Sequence, residues 1–134
     1  MRRNQYDEVI FKDGFDDLPP SAGEGAIHIK GGIKMVKHVI LWTLKEELSK
    51  EEKETVKQEI KAGLEGLAGQ IPGLVDIQVN IHGLASSNAD LMLDSSFETE
   101  EALKGYSVHP AHVAVADGKV RPYTASRVCL DYEI

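Results

Sequence analysis

The alternation of apolar and polar residues along positions 35–134 predicts an α+β domain. From Val36 to Leu44 the residues favour a strand that is largely apolar on both faces, so both faces need a cover. Strict alternation from Leu74 to Ile81 predicts a half-buried strand at an edge of the sheet. Leu91 to Phe97 and Ala125 to Tyr132 are the remaining predicted strands.

Two helical segments separate these strands. Ser49 and Glu52 have the spacing of a capping box, which predicts a helix that runs to about Ala68. Thr99 can cap a second helix, and Pro110 suits the first position of a further helical turn. The predicted order is β-α-β-β-α-β, an α+β fold of the ferredoxin-like type with a four-stranded antiparallel sheet.

Helices on one side of such a sheet leave its other face open. We expect that open face to carry Ile40, Trp42 and their neighbours, a larger apolar patch than monomers usually expose. Two sheets packed face to face through the strand of His38, Ile40 and Trp42 would bury it. The pattern therefore predicts a homodimer formed by sheet-to-sheet packing.

Composition narrows the class of protein. The net charge of −7 argues against a nucleic-acid or anionic-membrane surface, where clustered cations would be needed. The single cysteine, Cys129, cannot form an intrachain disulfide, which favours a reducing compartment, and we expect it to be buried and inert. No apolar run is long enough to span a bilayer, so we expect a cytoplasmic protein.

Residues 1–34 differ in character from the rest, because turn formers and acids dominate them. We interpret them as an amino-terminal extension, with Ala26 to Ile29 as a possible added strand or edge cover. The codons of Lys30-Gly31-Gly32 can form a purine-rich stretch similar to a bacterial ribosome-binding site. Our hypothesis is that the natural start is Met35.

Several segments resemble a known family. They are Val36-Lys37-His38-Val39-Ile40-Leu41-Trp42, Ile71-Pro72-Gly73, Ser96-Phe97-Glu98 and Tyr106-Ser107-Val108-His109-Pro110-Ala111-His112. Together they resemble the stress-responsive A/B barrel domain, often abbreviated Dabb, over nearly all of residues 35–132. The resemblance implies a homodimeric α+β barrel whose ferredoxin-like subunits each enclose a cavity between sheet and helices.

The resemblance also implies a candidate chemistry. Most members have no known function and several are associated with stress responses, whereas some plant members are polyketide cyclases that perform an aldol condensation without a cofactor. More distant relatives include cofactor-free monooxygenases that act on polycyclic aromatic compounds. The catalytic Tyr and His of the cyclases match Tyr106 and His112, and His38 matches a further cavity residue. We therefore expect no cofactor and no metal.

Tyr106 and His112 are a chemically reasonable acid/base pair. A neutral imidazole can take a proton from carbon next to a carbonyl, while a phenol hydrogen-bonds the developing enolate. The alternative is structural: His109 or His112 caps a helix and Tyr106 packs against the sheet. A second alternative is a metal site formed by His38, His109 and His112.

Other residues are candidates for the walls of a ligand cavity. These are His38, Ile40, Trp42, Ile60, Leu93 and His109. Each apolar member also has an ordinary role in a core or interface. Two hypotheses follow. The first is a dimeric barrel that binds a small hydrophobic or aromatic molecule and acts as a cofactor-independent cyclase, lyase or monooxygenase on aromatic or polyketide-like compounds. The second is a non-enzymatic stress or assembly protein whose dimer is the functional unit.

Overall fold

Residues 34–134, which this computed structural model describes, form one antiparallel sheet with helices packed against it. In chain order the elements are β1 (Val36–Leu44), α1 (Lys50–Glu65), β2 (Leu74–Asn80), β3 (Leu91–Phe97), α2 (Glu100–Val108), α3 (Pro110–Val115) and β4 (Thr124–Glu133). A π-helical turn at Ala116–Val120 and a 3-10 turn at Arg121–Tyr123 join α3 to β4. The predictions made for the amino-terminal extension lie outside the described residues.

The sheet has the strand order β2-β3-β1-β4, and each neighbouring pair is antiparallel. The predicted α+β, ferredoxin-like fold class is therefore confirmed, and β2 is an edge strand as expected. Because β1 lies between β3 and β4, residues of β4 meet those of β1 directly. The register places His38 opposite Asp131 and Ile40 opposite Cys129.

Helix α1 begins at the predicted capping box. Ser49 Oγ accepts from the Glu52 amide at 3.0 Å, and Glu52 Oε1 accepts from the Ser49 amide at 2.7 Å. The helix ends at Glu65, before the predicted Ala68, because the amides of Leu67 and Ala68 bond three residues back instead of four. Its buried stripe of Val56, Ile60 and Leu64 packs toward the sheet.

The assignment of the two faces of β1 in the sequence-based prediction is wrong. Ile40 and Trp42 are each 4% exposed, and His38 is 2% exposed, because this face lies beneath the helices. Both faces of β1 are apolar, so its own sequence does not say which face the helices cover. Because His38, Ile40 and Trp42 are buried beneath the helices, the prediction that they form a sheet-to-sheet dimer interface is wrong.

The opposite face of the sheet, which we call the open face, is also apolar. On β4 it carries Val128, Leu130 and Tyr132, which are 62%, 64% and 43% exposed. Leu130 lies opposite Val39 and Val128 lies opposite Leu41 across the β1–β4 pair. The expectation of a sheet with two apolar faces is thus confirmed, with the faces exchanged.

Among residues 34–134, no helix combines the length and the apolar character that crossing a membrane requires.

Candidate active site

A break between two helices brings Tyr106 and His112 together. Helix α2 ends at Val108, and His109 has an extended backbone (φ −66°, ψ 132°) before Pro110 starts α3. The His109 Nδ1 atom accepts from the Ala111 amide at 3.1 Å and so caps α3. The chain thereby folds back, and the ring centroids of Tyr106 and His112 lie 4.1 Å apart.

Tyr106 is the centre of a cluster of four rings. Its ring lies 5.0 Å from that of Phe97 and 5.9 Å from that of His38, between centroids. It is 1% exposed, and its hydroxyl has no hydrogen-bond partner among the described residues. Burial raises the pKa of this phenol above its ordinary value, so Tyr106 stays protonated and can donate.

His112 is held as a neutral imidazole. Burial lowers the pKa of His112 to about 4, while its contact with the Ser107 carbonyl acts in the opposite direction. His112 Nδ1 lies 3.4 Å from the Ser107 oxygen, which can only accept, so the proton belongs on Nδ1. This leaves the lone pair of Nε2 available to take a proton.

His38 is oriented by a carboxylate from the neighbouring strand. Its Nδ1 atom lies 2.5 Å from Asp131 Oδ1, and the carboxylate accepts the Nδ1 proton. The cross-strand register of β1 and β4 makes this pair, since the two residues are direct partners on the inner face. The contact with Asp131 therefore fixes the orientation of the His38 ring.

Cys129 lies beside this pair. The prediction that it is buried in the core is wrong, because it is only partly buried. Its sulfur is 3.4 Å from Asp131 Oδ1 and 3.8 Å from His38 Nδ1, and the residue is only half-buried. Burial and the Asp131 charge raise the pKa of the Cys129 thiol to about 12. Arg127, two residues earlier on the same face, lies within electrostatic range of Cys129, Tyr106 and His112.

The remaining predicted cavity residues lie either in the core between sheet and helices or at the start of α3. Ile40, Trp42, Ile60 and Leu93 are all buried between sheet and helices. Ile40 pairs with Leu93 across β1 and β3, next to the His38 position. His109 caps α3, which is the structural role considered for it. In the described part of the chain, His38, His109 and His112 do not form a metal-ligating cluster.

Sequence reasoning missed Asp131 and Arg127 and dismissed Cys129. The signal was present in the alternation of β4, where Arg127, Cys129 and Asp131 share one face and apolar residues occupy the other. A polar stripe on the inner face of an edge strand indicates a site, because a packed core would exclude it. The sequence-based prediction assigns a strand to this segment and no site residue.

A separate groove of about 330 Å³ lies along α1. It is lined by Leu48, Glu51, Glu52, Thr55, Val56, Glu59 and Tyr123, none of them a predicted site residue. It is therefore distinct from the cluster around Tyr106.

Comparison with known proteins gives one sequence family and several similar folds. The profile of the family described as "Stress responsive A/B Barrel Domain" matches residues 36–134. No curated protein matches the chain.

Solved structures include three informative likenesses. A dimeric protein of unknown function and ferredoxin-like fold from Bacteroides fragilis is 32% identical, with a TM-score of 0.70, covering 75% of this chain and 96% of that one. A dimeric ferredoxin-like protein of unknown function from Thermobifida fusca is 22% identical, with a TM-score of 0.62 and coverages of 75% and 92%. The hydroxynitrile lyase of Passiflora edulis is 15% identical, with a TM-score of 0.59 and coverages of 77% and 95%. The last two show a shared fold.

Proposed function

Because this chain belongs to the stress responsive A/B barrel domain family, we propose that Tyr106, His112 and His38 act on a small aromatic or polyketide-like molecule. The reaction class is a cyclase or lyase reaction driven by proton transfer. Tyr106 and His112 are the catalytic residues, and His38, held by Asp131, helps to orient the ligand. This chemistry needs no cofactor.

The Tyr106 hydroxyl is the observation that carries the proposal. A buried hydroxyl without a partner costs about 1–3 kcal/mol, so native proteins seldom retain one without a use. Here it sits beside the neutral His112 imidazole, with ring centroids 4.1 Å apart. A donor without a partner next to a base with a free lone pair is what enolate formation requires.

The proposed step begins at a carbon next to a carbonyl group of the ligand. His112 Nε2 takes the proton from this carbon, and the C–H electron pair moves into the carbonyl. Tyr106 donates a hydrogen bond to the enolate oxygen that forms. In a cyclase the enolate carbon then bonds to a second carbonyl carbon, and the new alkoxide receives the proton back from the His112 imidazolium.

Support from solved structures is limited to the shared fold. One protein with this fold is named a hydroxynitrile lyase, so the fold is compatible with a lyase. The four-ring cluster of this chain offers aromatic faces and edges on which an aromatic ligand could pack.

Exchange of carbon-bound hydrogen tests the acid/base step without knowledge of the natural substrate. A panel of aryl ketones, starting with acetophenone, is incubated with the protein in deuterium oxide and followed by NMR. We expect faster exchange next to the carbonyl, lost in His112→Ala and reduced in Tyr106→Phe. His82→Gln is the control, because His82 is an exposed histidine that contacts Glu54. Exchange that is absent throughout the panel, or unchanged in His112→Ala, would contradict the proposal.

We also propose that two copies of this chain pack through the open face. Val128, Leu130 and Tyr132 are more exposed there than apolar residues of a monomer normally are as a group. Lys37 and Asp94 form an ion pair of 2.6 Å within the chain on the same face, so neither charge would be buried without a partner between two packed sheets. The Bacteroides fragilis and Thermobifida fusca proteins are described as dimeric, which supports a dimer of this chain.

A non-enzymatic assembly role is the second candidate function. It is favoured by the near-complete burial of Tyr106 and His38, which are 1% and 2% exposed. In that case the inner cluster is part of the core and the dimer is the functional unit. Equal aryl ketone exchange in the wild type and in His112→Ala, together with a stable dimer, would select it.

A further inference from the structure

We propose that His38, Cys129 and Asp131 form a binding site for a transition-metal ion of the zinc type. This site goes beyond the proposed acid/base function: it shares His38 and Asp131 with it, and an ion would replace their hydrogen bond, but the step at Tyr106 and His112 is not needed for it. Each residue offers one ligand atom, and the three atoms all lie within 4.8 Å of one another. No other group of this kind occurs among residues 34–134.

The distances between the atoms suit tetrahedral coordination. With zinc–ligand distances of about 2.0–2.3 Å, neighbouring ligand atoms of a tetrahedral site lie about 3.3–3.6 Å apart. The Cys129 sulfur is 3.4 Å from Asp131 Oδ1 and 3.8 Å from His38 Nδ1. On binding an ion, the separation of Cys129 Sγ and His38 Nδ1 would shorten slightly from 3.8 Å, and that of His38 Nδ1 and Asp131 Oδ1 would widen from 2.5 Å. Rotation of the Asp131 carboxylate, which is 29% exposed, would allow the second change.

The backbone already places the ligands. Cys129 and Asp131 are two residues apart on β4, so both side chains point to the inner face. His38 enters from β1 as the direct partner of Asp131. Ligands from two hydrogen-bonded strands are held by the sheet, which reduces the entropy lost when an ion binds.

The ligand types select the ion. A thiolate, an imidazole and a carboxylate favour zinc, cobalt(II) and similar ions over magnesium or calcium, which prefer oxygen ligands. The thiolate and the carboxylate together balance the two charges of the ion. His38 would bind through the Nδ1 lone pair, with its proton on Nε2, so that Asp131 changes from hydrogen-bond acceptor to ligand.

The surroundings also favour a cation that enters from solvent. Glu100 lies within electrostatic range of Asp131 and Glu133, so negative charge is concentrated at this end of the sheet. Arg127 is the opposing charge near Cys129. The Asp131 side chain is 29% exposed, which leaves a path for the ion and a fourth position for water.

Cobalt(II) titration of the full-length chain, free of tags and treated with a chelator, tests the site without any substrate. Because the chain has one cysteine, a thiolate-to-cobalt absorption band in the near ultraviolet can arise only from Cys129. We expect this band in the wild type and its loss in Cys129→Ser. Zinc affinity, measured by competition with a zinc-sensitive dye, should fall at least about tenfold in Asp131→Asn.

Two controls keep the result interpretable. His82→Gln removes a histidine outside the cluster and should keep both the band and the zinc affinity. Alkylation of Cys129 in the wild type requires no variant, and zinc, unlike magnesium, should slow it. A wild type without the band, equal protection by magnesium, or an unchanged band in Cys129→Ser would overturn the metal site. None of these results bears on aryl ketone exchange, so the two proposals can fail separately.

Discussion

Tyr106 combines a structural cost with a proposed function. Its hydroxyl is buried and has no partner among the described residues, while its ring packs against three others. In Tyr106→Phe the packing remains and the desolvated hydroxyl is removed. We expect the free energy of unfolding to rise by about 1 kcal/mol while aryl ketone exchange falls. Denaturant unfolding measures the first effect.

The control for this variant is Tyr123→Phe, at the edge of the groove along α1, for which we expect almost no change in stability. A Tyr106→Phe protein that is less stable than the wild type by a similar amount would mean that the hydroxyl has a stabilising partner. Its retention would then need no functional explanation.

His112 should make stability depend on pH in a defined window. The pKa of His112 is lowered by burial to about 4, against 6.5 for the free side chain, so the unfolded chain takes up the proton first. The groups that act on it are His38, Arg127, Asp117 and the Ser107 carbonyl. Its contribution to stability is complete above pH 6.5 and is lost as pH falls to about 4.

The free energy of unfolding measured across this window tests the assignment. We expect the loss to reach roughly 3 kcal/mol in the wild type and to be much smaller in His112→Gln. Parallel curves for the two proteins would show that His112 is not held neutral by the fold.

At this scale the sequence was only partly informative. The family resemblance pairs Tyr106 with His112, and Pro110 after His109 predicts the helix break between them. The partnership of His38 with Asp131 and Cys129 depends on strand register, which couples residues more than ninety positions apart. No local pattern specifies that register.

At the level of elements, the turn at Gly73 couples the start of β2 to helix α2. Gly73 has φ +82°, and a Cβ atom there would meet the Ala102 side chain at 2.4 Å. Gly69 has a similar φ of +84° but no atom within 4 Å of such a Cβ. The two glycines therefore separate backbone strain from packing.

We expect Gly69→Ala to lower the free energy of unfolding by about 1 kcal/mol, from the left-handed backbone alone. Gly73→Ala should cost clearly more, because Ala102 and α2 must also move. Thermal or denaturant unfolding of both variants gives the comparison. Equal costs would indicate that α2 packs less tightly on this turn than the structure shows.

The strands illustrate what element patterns can and cannot predict. The bounds of β1 and β3 follow from β-forming runs between turn signals, and the structure has the same residues. The inner face of β1 could not be read from β1, because Trp42 and Leu41 are equally suited to a core. The polar stripe of Arg127, Cys129 and Asp131 on the neighbouring strand would have resolved it.

At the scale of the whole molecule, the β-α-β-β-α-β order places the helices on one face of the sheet and leaves the other face uncovered. The helices cover one face, where Tyr106, His112 and His38 meet. The other face keeps Val128, Leu130 and Tyr132 exposed to solvent in a single chain. Element order and apolar pattern were sufficient to predict both the fold and an unpaired apolar face. No local sequence pattern predicts what covers that face.

Sedimentation velocity at micromolar concentration tests most directly the claim that two copies of this chain pair through the open face. We expect a dimer for the wild type and a monomer for Leu130→Glu, since a buried carboxylate without a partner opposes sheet-to-sheet packing. Leu84→Glu is the matched control, because Leu84 is a loop leucine that is 80% exposed and lies off the sheet. It should remain dimeric. A monomeric wild type, or a Leu130→Glu protein that still sediments as a dimer, would contradict the account.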